Sequence, residues 1–294
     1  MQLSIVLINK DTPKLTKEAI KSAIDTIKEV EFEIIVVDNS SNASNAVCLK
    51  DSRVKTICGV ENKGFGNACN IGEKKASGDV LLFLNSDTIL FENAVDFAYS
   101  FFKKQQNVGA LGIRQLLEDG SLDKGCKRGF PTPLSSLYYF LGLSKIFPHS
   151  KRFGAYQQTF IDEKDVVEVD CISGAFMMIK KEVFEKVGGF DEDYFLYGED
   201  VDLCYRLKKI GYKNIYFGKV SFLHYKNMSG KKSLKVLESF YDSMQIFYDK
   251  HYKKKYPFFV NFIVKVGIKL KKSLAKRNYE KVLKKDGGNS TCSI

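Results

Sequence analysis

The sequence has no C-x-x-C pair: its cysteines, Cys48, Cys58, Cys69, Cys126, Cys171, Cys204 and Cys292, are scattered and odd in number. That argues against a zinc ribbon and a disulfide framework, and predicts a reducing, cytosolic compartment. No basic segment followed by an apolar core and a cleavage site opens the chain, so no secretory leader is expected. The C-terminal apolar stretch PFFVNFIVKVGIKL is too short to span a bilayer and is interrupted by Asn261 and Lys265. No G-x-G-x-x-G follows the first strand-like run; Asn9-Lys10-Asp11-Thr12 stands there instead, so the fingerprint of a dinucleotide enzyme is missing. Residues 1–230 also lack any excess of charge, with 46 − 16 = 30 basic and 35 − 5 = 30 acidic side chains. The whole net charge of +11 sits from Lys231 onward, where 16 basic residues face 5 acidic ones. A nucleic-acid binder carries its excess on the folded part that reads the polymer, so no nucleic-acid partner is expected.

What is present is a chain of 294 residues with ordinary globular composition, long enough for a sizeable core. Gly78 to Thr88, GDVLLFLNSDT, is its organising stretch. Val80 to Leu84 reads as a strand buried on both faces, and it breaks into Asn85-Ser86-Asp87. Ser4 to Ile8 and Glu33 to Val37 read as two more buried strands, Val54 to Cys58 as a shorter one, and Leu15 to Ile27 carries a helical apolar stripe. A glycine-containing loop, Glu61 to Asn67, opens a helix to about Ala76, and another helix runs from about Asn93 to Phe102. Alternation at this spacing specifies βαβ units, hence an α/β fold with a mainly parallel sheet. In such sheets chemistry gathers where buried strands end. Asp87 there can hold a divalent cation or merely cap the next helix, and Asp38 can accept from a ribose or base or merely close an Asx turn.

From Leu111 to Val166 periodicity is lost among glycines, prolines and an aromatic patch from Leu137 to Phe140; this segment is read as the acceptor-recognising region. Structure resumes at Val166, with Gly174 and Ala175 small where the backbone approaches something closely. The stretch from Phe190 to Asp200 is the densest in acidic and aromatic residues, and a helix begins there. Asp202 suits the helix dipole, whereas Glu199 and Asp200 lie beside apolar Tyr194, Phe195 and Leu196, surroundings able to tune a carboxylate for base work. Two short strands, around Ile215 to Phe217 and Ser221 to Leu223, lead to His224, which can be a core residue or a metal ligand.

These ordered stretches resemble the family 2 inverting glycosyltransferases of the GT-A fold, in particular the bacterial rhamnosyltransferase-like branch, over about Ser4 to Ser229. EIIVVDNSS resembles the strand whose terminal aspartate, here Asp38, contacts the nucleotide; ENKGFGNACNIG resembles a nucleotide-holding stretch, through Asn62, Gly64 and Asn70. FLNSDT resembles the metal-binding motif, with Asp87 as its carboxylate and Ser86 where the family often has proline. The closest match is GAFMMIKKEVFEKVGGFDEDYFLYGEDVDLCYRLKKIGY, which makes Asp200 the catalytic base. The resemblance implies a nucleotide set of Asn9, Asp38, Asn62, Gly64, Asn70 and Ser86, and an Mg²⁺ or Mn²⁺ site of Asp87 and His224. It also implies that Glu199 assists Asp200 and that Gly174, Ala175 and Tyr197 meet the acceptor. The donor would be a UDP-, dTDP- or GDP-sugar and the acceptor a glycan, lipid-linked in cell-surface polysaccharide synthesis. Lys10 is the one hint of a nucleotidyltransferase instead, and a non-catalytic protein on a transferase scaffold is the other alternative.

The expected organisation is a GT-A domain over 1–230, with a nucleotide-binding half (1–110) and an acceptor and catalytic half (111–230). A basic amphipathic helical tail over 231–286 follows, then a disordered end over 287–294. The tail suits the anionic cytoplasmic face of the inner membrane, making the protein peripheral there, or else it packs on the catalytic domain.

Overall fold

A computed structural model describes residues 1–47, 49–226 and 233–287. In chain order it contains β1 (Leu3–Asn9), α1 (Pro13–Thr26), β2 (Phe32–Asp38), β3 (Val54–Ile57), α2 (Phe65–Glu73), β4 (Val80–Leu84), β5 (Thr88–Leu90) and α3 (Ala94–Lys103). There follow β6 (Val108–Leu116), β7 (Lys127–Arg128), α4 (Pro133–Phe140), α5 (Leu143–Ile146), β8 (Val166–Val169), β9 (Cys171–Ile172), β10 (Phe176–Lys180) and α6 (Lys181–Val187). The chain closes with α7 (Glu199–Lys209), β11 (Lys213–His224), α8 (Leu234–His251) and α9 (Phe258–Gly287). The fold is α/β, as the alternating pattern requires. The main sheet runs β3-β2-β1-β4-β10-β6-β11-β5, with β8 beside β11, and β7 pairs β9 in a separate ribbon.

β1, β2, β3 and β4 are parallel, because each is followed by a crossover helix or loop that returns the chain to the same edge. β2 and β4 are buried along their whole length, which is what their unbroken apolar runs demand. Register then aligns their ends: Asn9 lies opposite Asp38, and Leu7 opposite Leu84, so the polar residues after β1, β2 and β4 share one edge. β10 enters antiparallel between β4 and β6. β5 pairs antiparallel with the end of β11, setting His224 opposite Thr88, one residue from Asp87. Two apolar cores fill the faces, one under α1 and α3, the other under α2, α6, α7 and α8. In the second, Phe83 meets Phe184 at 5.0 Å and Phe190 at 4.9 Å between ring centroids. Each such fully buried ring contributes about 1.5–3 kcal/mol of transfer free energy.

Three differences from the sequence reading have clear causes. The two strands expected at 215–223 are one strand, β11, whose register against β6 shifts between Phe217 and Ser221. The bulge makes room for Gly218, where a Cβ would stand 2.4 Å from the Glu163 carbonyl oxygen. The aperiodic segment 111–166 holds the rest of β6, then β7, α4 and α5. The first tail helix, α8, buries Phe247 and Tyr248 in the second core, joined by Tyr252 just beyond it. The boundary expected at 230/231 lies outside the described residues, as does the expected disordered end 287–294 beyond Gly287, which closes α9.

Candidate active site

At the shared strand edge, Asn9 Nδ2 donates to Asp38 Oδ2 at 2.9 Å and to the Asn45 carbonyl at 2.8 Å. Asp38 also accepts from the backbone N–H groups of Ser40 and Val47, each at 2.9 Å. Burial acts to raise the Asp38 pKa, but hydrogen bonds from Ser40, Asn9 and Val47 prevail and hold it below the usual carboxylate range. The Asx turn is therefore real, and Asp38 acts on the edge by ordering the loop from Asn39 to Val47. Lys10 pairs with Asp11 at 2.6 Å and touches Ser41, so it is engaged within the same surface loop.

Asn62 Oδ1 accepts from the Gly64 N–H at 3.2 Å, which turns the chain into α2. Gly64 has φ of +113°, and a Cβ there would lie 2.4 Å from the Phe195 carbonyl oxygen. That close approach, with the Phe65 N–H donating to the same oxygen at 3.0 Å, fastens the loop before α2 to the acidic loop before α7. Asn70 ties the far end of the same stretch to the loop after α6. Its amide nitrogen donates to the Phe190 carbonyl and to Glu192, and its oxygen accepts from the Phe190 N–H at 2.9 Å, so both amide protons are committed to the fold.

Asp87 is buried, and its Oδ1 lies 3.1 Å from His224 Nε2. Gln115 Nε2 stands 2.6 Å from His224 Nδ1 and 2.7 Å from Asp123 Oδ2, and Asp123 also accepts from Lys226 at 2.8 Å. An ionised carboxylate takes only donors, so the Gln115 amide nitrogen faces both partners; Nδ1 accepts, and the ring proton sits on Nε2 toward Asp87. Among the described residues no three His, Cys, Asp or Glu side chains converge as a metal cluster. The pair nonetheless fits two adjacent ligands of one cation, which stand about 3 Å apart when each is 2.0–2.1 Å from the metal. A cation here would replace the Nε2 proton and take its remaining ligands from substrate oxygens. Ser86, the other residue of this motif, is also buried.

The third group lies at the start of α7. Asp200 Oδ2 is 2.5 Å from Arg128 NH2 and accepts the Gly174 N–H at 3.1 Å. Glu199 is only 7% exposed and its Oε2 has no hydrogen-bond partner. Burial first, and then the neighbouring Asp200 charge, push the Glu199 pKa up to about 8. Tyr197 and Gly198 both adopt left-handed backbone, φ +69° and +84°. For tyrosine this is strained, and it leaves the ring exposed at the mouth of the site. Burial, then the Glu199 and Asp87 carboxylates, raise the Tyr197 phenol pKa. The Ala175 side chain is buried in the sheet core and its carbonyl accepts the Asn85 N–H at 3.0 Å, so it joins the end of β4 to the start of β10. Gly174 serves Asp200 through its N–H.

Sequence reasoning missed Arg128, Gln115 and Asp123. Arg128 follows Lys127 before Gly129-Phe130-Pro131, and that short basic pair beside turn residues was the one available signal.

Comparison with known proteins gives the following. Residues 4–188 match the family model described as Glycosyl transferase family 2, and residues 165–230 match that of the N-terminal domain of galactosyltransferase. The chain is 26% identical over 249 residues to the N-acetylglucosaminyl-diphospho-decaprenol L-rhamnosyltransferase of Mycobacterium tuberculosis, covering 80% of each. It is 27% identical over 227 residues to the rhamnosyltransferase WbbL of Escherichia coli, covering 72% of this chain and 82% of that one. In structure it resembles GalNAc-T7, solved with UDP, GalNAc and Mn²⁺, with a TM-score of 0.59 at 17% identity, over 85% of this chain and 48% of that one. This likeness is one of GT-A fold.

Proposed function

Because the chain belongs to glycosyl transferase family 2, we propose that it moves a sugar, with inversion, from a UDP-, dTDP- or GDP-sugar to a lipid-linked glycan in bacterial surface-polysaccharide synthesis. The observation that carries this reading is that Gly174-Ala175 ties two carboxylate groups together: the Ala175 carbonyl accepts the Asn85 N–H at 3.0 Å, two residues before Asp87 and its partner His224, and the Gly174 N–H donates to Asp200, next to Glu199, at 3.1 Å. The first suits the diphosphate end of a donor and the second the hydroxyl end of an acceptor.

Asp200, paired with Arg128 and aimed by the Gly174 N–H, accepts the acceptor hydroxyl proton as that oxygen bonds to the anomeric carbon. The anomeric carbon–oxygen bond breaks with its electron pair going to the diphosphate, on the opposite face, through an oxocarbenium-like transition state. Glu199, protonated at neutral pH, holds the acceptor without competing for its proton. Asp87 and His224 would hold Mg²⁺ or Mn²⁺, which supplies positive charge against the leaving group. The loop ordered by Asp38 and Asn9, with Asn62 and Gly64 opposite, would seat the nucleotide. The membrane's cytoplasmic face is the proposed place of work, since the relatives named for decaprenol-linked substrates act on lipid carriers and the charge of this chain lies in its last segment.

Donor hydrolysis across common UDP-, dTDP- and GDP-sugars tests the reading. One donor should be cleaved, EDTA should abolish cleavage, and Asp200→Asn should suppress transfer to acceptor while sparing nucleotide binding. Full turnover in excess EDTA would remove the metal assignment, and an active Asp200→Asn variant the base assignment.

A further inference from the structure

Two surface elements far apart in sequence carry their polarity inside out. In α4, Ser135 and Tyr138 face the protein body at 7% and 9% exposure, whereas Leu134, Leu137 and the adjoining Leu141 are 51–61% exposed. Those leucines recur three and four residues apart and so form one outer stripe. The inner groups are satisfied: Ser135 donates to the Phe130 carbonyl at 2.9 Å, and Arg152 Nε donates to the Tyr138 hydroxyl at 3.0 Å. α5 repeats the inversion, with Ser144 buried and Ile146 exposed. α9 does the same at larger scale. It is tied to α8 by polar contacts, Tyr248 to Asn261 at 2.6 Å, Lys272 to Asp242 at 2.7 Å and Lys276 to Glu238 at 3.3 Å. Phe259, Ile263, Leu270 and Leu274 meanwhile stand 54–65% exposed. A surface helix in water buries its apolar stripe and solvates its polar one, so both elements are patterned for an apolar medium outside. The two are contiguous, since Lys271 Nζ sits 5.0 Å over the ring of Phe140 at the end of α4.

We propose that α4–α5 and α9 form one lipid-facing surface by which the protein lies on an anionic bilayer, with α4–α5 at the acceptor side of the site. Charge selects this occupant. From Phe258 to Gly287 there are nine basic and two acidic residues, a balance of +7, so a second copy would set like charges face to face. An anionic headgroup layer accepts both the charge and the apolar stripe, as an interfacial helix requires. No described helix is long and apolar enough to cross a membrane, so the contact is in-plane. The hairpin is close to the chemistry: Pro133, its first residue, is five residues from Arg128, and the Phe130 ring packs 5.0 Å from Tyr205 on α7. The surface rests on the glycosyl-transfer reading only for what the acceptor is; docking itself is measured without turnover.

The test is sedimentation of the full chain with phosphatidylcholine vesicles, with and without phosphatidylglycerol. The chain should pellet with the anionic vesicles. Leu137→Ser with Leu141→Ser should lower the partition coefficient roughly ten- to hundredfold, and Ile263→Ser with Leu270→Ser by a similar factor. All four side chains are exposed, so melting temperatures should not fall. The proposal is overturned if the wild type stays in the supernatant, or if the α4 variant binds as the wild type does. It is equally overturned if sedimentation velocity without lipid shows a dimer that these substitutions dissolve. A chain that pellets yet hydrolyses no donor would refute the transfer reading and leave the surface standing.

Discussion

Arg128 decides how a proton is shared between two adjacent carboxyls. Its guanidinium lies 2.5 Å from Asp200, and its charge pulls the Glu199 pKa down against burial and the Asp200 charge, which push it up. Arg128→Met should lower kcat about 10²–10⁴-fold, with donor binding intact, and move upward the limb of the pH–rate profile that Glu199 sets, because Arg128 pulls the Glu199 pKa down; Arg128→Lys should restore part of both. A Met variant with an unmoved pH profile would make the arginine a packing residue. Glu199 also sets a stability trend. Its pKa rises from the usual 4.5 to about 8 on folding, so between those values the folded state holds the extra proton and stability falls as pH rises. Glu199→Gln should therefore be more stable than the wild type at pH 8, on the order of a few kcal/mol, with the gap closing toward pH 5 in paired denaturation curves. Asp200 and Glu199 were legible because they stand together at a helix start. Arg128 was not, since a contact across 72 residues is made by a two-residue strand with no periodicity to read.

At the scale of elements, unbroken apolar strands announced themselves, and the edge where β1, β2 and β4 end could be located from them. Antiparallel insertions could not: nothing local says that β10 enters beside β4, or that β5 meets the far end of β11 to bring Asp87 to His224. α4 escaped notice for another reason, because a pattern reading assumes that the apolar side faces the core, and here it faces out. The loop before α2 is the element most sensitive to one carbon. Gly64→Ala would place a Cβ against the Phe195 carbonyl oxygen, in a backbone region alanine disfavours. The variant should lose about 1–3 kcal/mol of stability and show a raised KM for donor, because the two loops it separates hold opposite sides of the site. Unchanged melting and KM would show the contact to be dispensable.

The whole molecule is closed by its own C-terminal part. α8 lays Phe247 and Tyr248, with Tyr252 beyond it, into the second core. It also sets Ser243 against Gly198, and its His251 lies 2.6 Å from Asp202 at the start of α7. A chain stopped after Ser233 loses three aromatic burials, about 5 kcal/mol or more, which rivals the stability of a whole domain. It should be insoluble or molten by near-UV circular dichroism. A chain stopped after Tyr256 keeps them and should melt cooperatively near the wild-type temperature. Lys235 over the Phe195 ring at 3.9 Å and the Tyr197–Phe240 contact at 5.8 Å extend the same brace to the acidic loop. During synthesis the sheet and every carboxylate of the site leave the ribosome before this brace does. The nascent chain therefore holds Asp87, Glu199 and Asp200 while it still lacks the helix that braces the loop before α7, and that loop is completed only when α8 folds against it.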